Sequence, residues 1–185
     1  MPGVHRVVVL DKENKVVNLI TQFFVLDLIY KHLEELSPEF LDKKVRSFSS
    51  YKPKELMMVN KVAKPIEAFR FLFHQNISAV PIVDDDGTLL ATISEKDIRV
   101  ILDHNAFPQA FYNQTCQSFA QKIKDEQNDK GKELSITESS TMRQIIQLLH
   151  DHKVHRLWVV NGEKKVINVV ALKDVLEEFL SFSSA

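Results

Sequence analysis

Apolar positions along the chain follow two periods in turn. Ile66, Phe69, Leu72 and Phe73 recur at helical spacing and predict an amphipathic helix over about 65–75. Residues 79–83 (AVPIV) and 89–93 (LLATI) are rich in apolar and β-branched residues and predict two strands. The DDDG between them carries an Asp86-Gly87 hairpin signal. A short apolar strand, Met57–Val59, leads in, and a second helix opens at Glu95 and runs to about 102. The order is β-α-β-β-α.

The same series then returns without a gap, with 57–98 lying over 134–175. Leu134–Ile136 leads in. Met142, Ile145, Ile146, Leu148 and Leu149 mark a helix over about 141–152. Arg156–Val160 and Val166–Val170 flank NGEK, where Asn161-Gly162 reads as the turn, and a last helix opens at Leu172 and runs to about 181. Few residues are identical between the copies: Leu72 with Leu149, Val83 with Val160, and Lys96-Asp97 with Lys173-Asp174. A third, partial copy lies at the start, where His5–Val25 aligns with Ser78–Ile98. It has the hairpin VHRVVVL-DKEN-KVVNLIT and a helix over about 22–35, but neither lead-in strand nor first helix. A hairpin and one helix cannot cover both faces of their sheet. The chain is therefore expected to be cut from a longer one, or to be covered there by another chain.

The connections are also legible. Ser37 and Pro38 are an N-cap and a first helical residue, opening PEFLDKKVRSF as a short helix before the polar SSYKPK. QAFYNQTCQSFAQKIK predicts a further helix, and DEQNDKGKE a solvated loop. The expected organisation is a half repeat at 1–36, a linker with a short helix at 37–54 and a complete repeat at 55–105. A linking helix and loop at 106–133 and a second complete repeat at 134–185 follow. The fold class is α/β (α+β).

Composition narrows the function. A net charge of −1 and a pI of about 6.7 argue against a nucleic-acid binder. No apolar run reaches the ~18–20 residues of a membrane span, and the N-terminus lacks a signal-peptide pattern. The single cysteine, Cys116, permits no internal disulfide and carries no nucleophile signature. A cytoplasmic setting, or also a nuclear one, is expected. With four glycines, no P-loop, no dinucleotide glycine pattern and no Ser-His-Asp constellation, no catalytic residues are assigned. His150, His152 and His155 straddle a helix end and a strand start without the helical pair of a zinc site, so no metal is expected. Phe69, Phe71 and Phe73 read as core and interface.

Asp97 and Asp174 stand out because each falls at the start of a helix directly after a strand. A carboxylate there can accept both neighbouring hydroxyls of a ribose in charge-assisted bonds. The helix dipole also favours it as a plain helix-start residue. Arg6 and Arg156, behind His5 and His155, open two apolar strands; a guanidinium there reaches solvent, a salt bridge or a phosphate, whose geometry its fork fits. If His155 lay beside a phosphate, affinity would fall as pH rises.

The β-α-β-β-α repeat, with its AVPIV strand and Ser-x-x-Asp helix opening, resembles the CBS domain, and two in tandem resemble a Bateman module. HRVVVLD…NLIT, SPEFLDKK, ISAVPIVDDDG…ISEKDI, FYNQT and VHRLWVV…VALKDVL are similar, in that order and over nearly all the chain, to the second, third and fourth CBS domains of the gamma subunit of AMP-activated protein kinase. The resemblance implies a non-catalytic regulatory protein that binds AMP, ADP or ATP in clefts between domains and requires no cofactor. It implies kinase catalytic and scaffold subunits, or another CBS-containing chain such as a second copy, as partners, and neither nucleic acid nor membrane. It assigns the ribose to Asp97 and Asp174, and the adenosine lining to Ile77, Ser78, Ala79, Ser94, Leu134 and Ala171. The phosphates go to His5, Arg6, His155, Arg156, Lys96 and Lys173.

The chain also departs from the family. Ala171 stands where the other repeat has Ser94, which implies a lost hydrogen bond. Phe24 occupies the Asp position of the half repeat, and Phe23 precedes it, where the family's second domain carries basic residues. That copy has no ribose carboxylate, and Arg6 is expected to lend its charge to a nucleotide held by a neighbouring repeat. Two alternatives stay open: a scaffold that binds no nucleotide, and a module for another adenosyl ligand such as S-adenosylmethionine.

Overall fold

The computed structural model describes residues 6–103, 109–126 and 134–183. Three hairpins are built alike. β1 (Arg6–Leu10) pairs with β2 (Val16–Thr21). β3 (Val59–Asn60), β4 (Ala79–Val83) and β5 (Leu89–Ser94) form one three-stranded sheet in that order. β6 (Ser135–Ile136), β7 (Arg156–Val160) and β8 (Val166–Ala171) form another. The alignment read from sequence reappears as register. Arg6 faces Thr21 as Ala79 faces Ser94, and the same bulge falls between Val9 and Leu10 and between Ile82 and Val83.

The turns correct one reading. In each hairpin a side-chain oxygen of Asp11, Asp84 or Asn161 accepts from backbone N–H groups two and four residues on, at 2.8–3.1 Å. The left-handed residue is the fourth: Asn14 (φ 60°), Gly87 (φ 83°) and Lys164 (φ 61°). This is a type I turn closed by a left-handed residue, the longer hairpin connection rather than the two-residue one. Gly87 therefore has a conformational role. Asn161-Gly162 is not the turn pair that its sequence suggests, and Asn161 acts through its side chain.

The helices are α1 (Gln22–Lys31), α2 (Pro38–Leu41), α3 (Pro65–Gln75), α4 (Ile98–Asp103), α5 (Gln109–Tyr112), α6 (Cys116–Glu126), α7 (Met142–Asp151) and α8 (Leu172–Ser183). Ser37 caps α2 as expected, its Oγ accepting from Phe40 N–H at 3.3 Å. The helix then stops four residues in, well short of 48. The following backbone pairs with a distant stretch instead: Val45 and Arg46 N–H donate to Ser140 and Glu138 carbonyls, and Lys43 carbonyl accepts from Met142 N–H. The helix expected over 109–124 is two helices, broken at Asn113–Thr115, where Cys116 N–H donates to Ala63 carbonyl at 2.7 Å. Of the loop expected over 125–133, residues 127–133 lie outside the described residues, and Asp125 and Glu126 end α6.

The chain divides into two compact units. One comprises the described residues of Met1–Pro53, Ile136–Val159 and Val169–Ala185. In it α1 packs on α7 and α8, burying Leu26, Ile29, Ile145, Ile146 and Leu149. Each such aliphatic side chain taken from water is worth about 1.5–3 kcal/mol. Phe40 packs on Phe179 and Phe182 with ring centroids 5.7 and 5.2 Å apart. The β1–β2 hairpin, by contrast, exposes Val7, Val8, Leu10, Val16, Val17 and Leu19.

The other unit comprises Lys54–Ser135 and Val160–Asn168. Its core gathers Val59, Ala68, Leu72, Val80, Ile82, Ile93, Phe119 and Ile123. Phe69 meets Phe111 and Phe119 edge-on at 5.5 and 5.9 Å. Phe73 departs from the core reading: it is 83% exposed, one helical turn beyond Phe69. Hairpin tips meet here too, with Leu89 N–H donating to Lys164 carbonyl and Val166 N–H to Gly87 carbonyl. Cys116 is buried in this core, and burial pushes its thiol up to about 12, which removes it as a nucleophile at neutral pH.

Candidate functional site

Asp97 and Asp174 are placed by the same local construction. In the second unit β5 ends at Ser94 and a 3-10 turn, Glu95–Asp97, leads into α4. Glu95 N–H donates to Ser78 carbonyl at 3.0 Å, which ties the helix start to the residue before β4. Asp97 reaches back, and its Oδ2 accepts from Ser94 N–H at 2.6 Å and from Ser94 Oγ–H at 2.9 Å. In the first unit Leu172 N–H donates to His155 carbonyl at 2.8 Å, and Asp174 Oδ2 accepts from Ala171 N–H at 2.7 Å. Ala171 supplies no hydroxyl, so the second bond that Ser94 gives Asp97 has no counterpart from that residue.

This reach-back bond is the helix-start role of the two acids. It leaves Asp97 oddly placed for that role alone. The residue is 9% exposed, whereas a cap carboxylate normally sits in water. Burial pushes its pKa up, against the lowering by the two Ser94 bonds and by Lys96. Both Ser94 bonds fall on one carboxylate oxygen. Such a group gains from a ligand that brings hydroxyl donors, because each bond lowers the cost of keeping the charge buried.

The other candidates differ in environment. Ile77 is half-buried against the second unit's core, Ser78 is half-buried and Ala79 is buried, just before and at the start of β4. Leu134, in the same unit, is half-buried. Lys96 is exposed beside Asp97. Lys173 is exposed and pairs with Glu177 at 3.4 Å. Arg6 opens β1 and is exposed, Arg156 opens β7 and is half-buried, and His5 lies outside the described residues.

The half repeat uses a different helix start. Thr21 Oγ accepts from Phe24 N–H at 3.1 Å, so the cap comes from the residue aligned with Ser94, and Phe24 is 50% exposed. Phe23 turns into the first unit. Its ring meets His155 edge-on at 6.0 Å and lies parallel to His150 at 6.2 Å. An apolar ring therefore stands beside His155.

Two features were missed in the sequence. His150 stacks on Tyr30 at 3.6 Å and lies between Asp27 at 3.2 Å and Asp151 at 3.1 Å. Bonds from Lys31 and His150 hold Asp27 below the usual carboxylate range, and a bond to Asp151 pushes the Tyr30 phenol up. The second is Glu178, a carboxylate with no exposed side-chain surface, which takes Lys43 and Ser49 as donors. Its signal was present, since Glu178 falls three residues after Val175 on the apolar stripe of α8. Among the described residues no group of His, Cys, Asp and Glu could hold a metal ion, and no helix is long and apolar enough to cross a membrane.

Comparison with known proteins gives the construction a family. The CBS domain family model matches residues 52–104 and 131–181, over half of the chain. The chain is 26% identical over 173 residues to protein sds23 of Neosartorya fischeri, covering 86% of this chain and 31% of that protein. It is 29% identical over 134 residues to the SNF1-related protein kinase regulatory subunit gamma-1-like of Arabidopsis thaliana, covering 70% of this chain and 30% of that protein. It thus spans about a third of the length of both relatives. Among solved structures, protein MJ1225 of Methanocaldococcus jannaschii superposes with a TM-score of 0.72 at 17% identity, over 95% of this chain and 59% of that one. CBSX2 of Arabidopsis thaliana, solved in complex with AMP, superposes with a TM-score of 0.60 at 20% identity, over 76% of this chain and 98% of that one. These structures share the fold. With two matched β-α-β-β-α repeats in tandem, a Bateman module, this chain belongs to the CBS domain family.

Proposed function

We propose that this chain is a non-catalytic regulatory CBS protein that binds an adenine nucleotide, with Asp97 and Asp174 as ribose acceptors. The observation that carries the reading is Asp97: a buried carboxylate at a helix start, with burial raising its pKa and its Ser94 bonds falling on one oxygen. A ribose brings the two adjacent donors that favour the ionised form. Ile77, Ser78 and Ala79 beside it, with Ser94, supply the mixed apolar and polar lining that an adenosine takes, and Leu134 and Ala171 are assigned to the same task. The phosphates fall to His155, Arg156, Arg6 and His5, with Lys96 and Lys173 adding charge.

Phe23 beside His155 shapes the preference among nucleotides. An apolar ring adds no charge for a triphosphate, so AMP is expected to bind more tightly than ATP. The same observation supports a second reading, in which the ligand is another adenosyl compound such as S-adenosylmethionine. A protein kinase is the proposed partner, by similarity to a kinase regulatory gamma-like subunit, and the proposed compartment is the cytoplasm or nucleus.

Thermal unfolding with AMP, ADP, ATP and S-adenosylmethionine at about 1 mM tests the function. A ligand held by the native state alone raises Tm, most for AMP if the first reading holds and most for S-adenosylmethionine if the second does. No shift with any of the four makes the module a scaffold instead.

A further inference from the structure

Glu178 stands one helical turn after Asp174 on α8, and its side chain is fully buried. Three donors from one loop converge on it: the Lys43 ammonium, the Ser49 N–H and the Ser49 hydroxyl, the last at 2.6 Å. Ser49 itself is an exposed residue, so its hydroxyl lies between solvent and the buried carboxylate. Arg46, exposed, precedes it by three residues, after Lys43 and Lys44. That places a cation where basic-directed protein kinases take one.

We propose that Ser49 is a phosphorylation site for a protein kinase that selects Arg three residues before the acceptor, and that its modification releases the 42–51 loop from α8. Ser49 Oγ attacks the γ-phosphorus of a nucleoside triphosphate. The Oγ–P bond forms as the bond to the β–γ bridging oxygen breaks. The nucleoside diphosphate leaves with that electron pair, and the hydroxyl proton passes to the kinase's base.

The consequence follows from charge. The hydroxyl donates to Glu178, while a phosphate cannot, and it brings about −1.5 to −2 charges against a buried carboxylate. Lys43, the nearest cation, is drawn from Glu178 to the phosphate. The loop is also held by Val45 and Arg46 N–H on the Ser140 and Glu138 carbonyls, by Met142 N–H on the Lys43 carbonyl, by the Tyr51 hydroxyl on Glu138 and by the buried Val45 and Phe48 side chains, so the release is local to Ser49 and α8 at first. Arg46 lies in a 3-10 turn, Val45–Ser47. A kinase needs this stretch extended, so it captures the opened loop and the phosphate keeps it open. Because Asp174 opens the same helix, the release also alters the setting of that carboxylate; this last step alone rests on the nucleotide reading.

The test incubates the full chain with ATP and a kinase of the calmodulin-dependent class, which selects Arg at that position. Mass spectrometry locates the phosphate, and hydrogen exchange follows residues 42–51 and α8. The result expected is phosphate on Ser49, at least fivefold slower incorporation in Arg46→Ala, faster incorporation in Lys43→Ala, and quicker exchange of the loop once it is modified. The proposal is overturned if Ser49 stays unmodified in the chain while a peptide of residues 43–52 is phosphorylated. It is equally overturned if the peptide too is refused, or if modified and unmodified loops exchange alike. No readout uses a bound nucleotide, so failure here is distinct from failure of the ligand reading.

Discussion

Lys43→Ala removes the ammonium that faces the buried Glu178 carboxylate. Breaking a buried pair from one side costs about 3–5 kcal/mol, because the remaining charge is left unpaired in a poor solvent. Lys43 is 30% exposed and both Ser49 donors survive, so the loss belongs near the lower end, about 3 kcal/mol. Replacing both partners, Lys43→Met with Glu178→Leu, buries no charge but takes the acceptor from both Ser49 donors, so it should cost less than Lys43→Ala, about 1–2 kcal/mol. The pH dependence has a definite sign. Burial raises the pKa of Glu178, but the bonds from Lys43 and Ser49 outweigh it and hold the carboxyl below its ordinary 4.5. Its contribution is therefore present above pH 4.5 and lost as pH falls through the folded pKa. Without Lys43 only the Ser49 bonds oppose burial, so the Glu178 pKa moves up from its native position and acid costs the variant less than it costs the native protein. The stability gap between native protein and Lys43→Ala should be widest near pH 7 and narrow toward pH 4. Urea unfolding followed by the fluorescence of the buried Trp158 measures it. A gap under about 1 kcal/mol at pH 7, or one that does not change with pH, would refute the reasoning.

Three further outcomes are expected. Gly87→Ala should cost about 1–2 kcal/mol, because Gly87 holds φ 83°, whereas Gly162→Ala meets nothing within 4 Å and should change stability by less than about 0.5 kcal/mol; equal losses would contradict the turn assignment. Nucleotide affinity should fall as pH drops through the raised pKa of Asp97, above 3.8, with protons released on binding in that range. Calorimetry in two buffers of different ionisation enthalpy reads that release, and proton uptake would reverse the sign. Phe23→Arg should raise ATP affinity more than AMP affinity by placing a cation beside His155, and an unchanged ATP-to-AMP ratio would remove Phe23 from the site.

The fold was largely legible because the repeat carries its own check. Two aligned copies constrain each other, and α3 and β4 occupy the residues that their apolar periods mark. Legibility failed where long-range pairing decided local structure. The KKVR stretch has helical propensity, yet its backbone groups bond to residues 138–142, and no local signal announces that. Asn161-Gly162 misled for a related reason: a side-chain bond from Asn161 sets the turn, and the left-handed position then falls to Lys164. At the candidate site, the matched positions of Asp97 and Asp174 were visible, but their unequal burial was not. The role of Phe23 against His155 was also hidden, since it depends on α1 lying beside α7. Glu178 was readable in principle as an acid on an apolar stripe. Its partners, more than a hundred residues away in the chain, were not.

The central claim is that Asp97 and Asp174 hold a ribose. Calorimetric titration of the native chain, Asp97→Asn and Asp174→Asn with AMP and with 2′-deoxy-AMP tests it most directly. A charge-assisted bond is worth about 1.5–3 kcal/mol, so each substitution should weaken AMP at its own site by about 10- to 150-fold. Removing the 2′-hydroxyl should weaken the native protein and then cost little more at a site that already lacks its carboxylate. AMP affinity unchanged in both variants, or a deoxy penalty of the same size in all three proteins, would contradict the account.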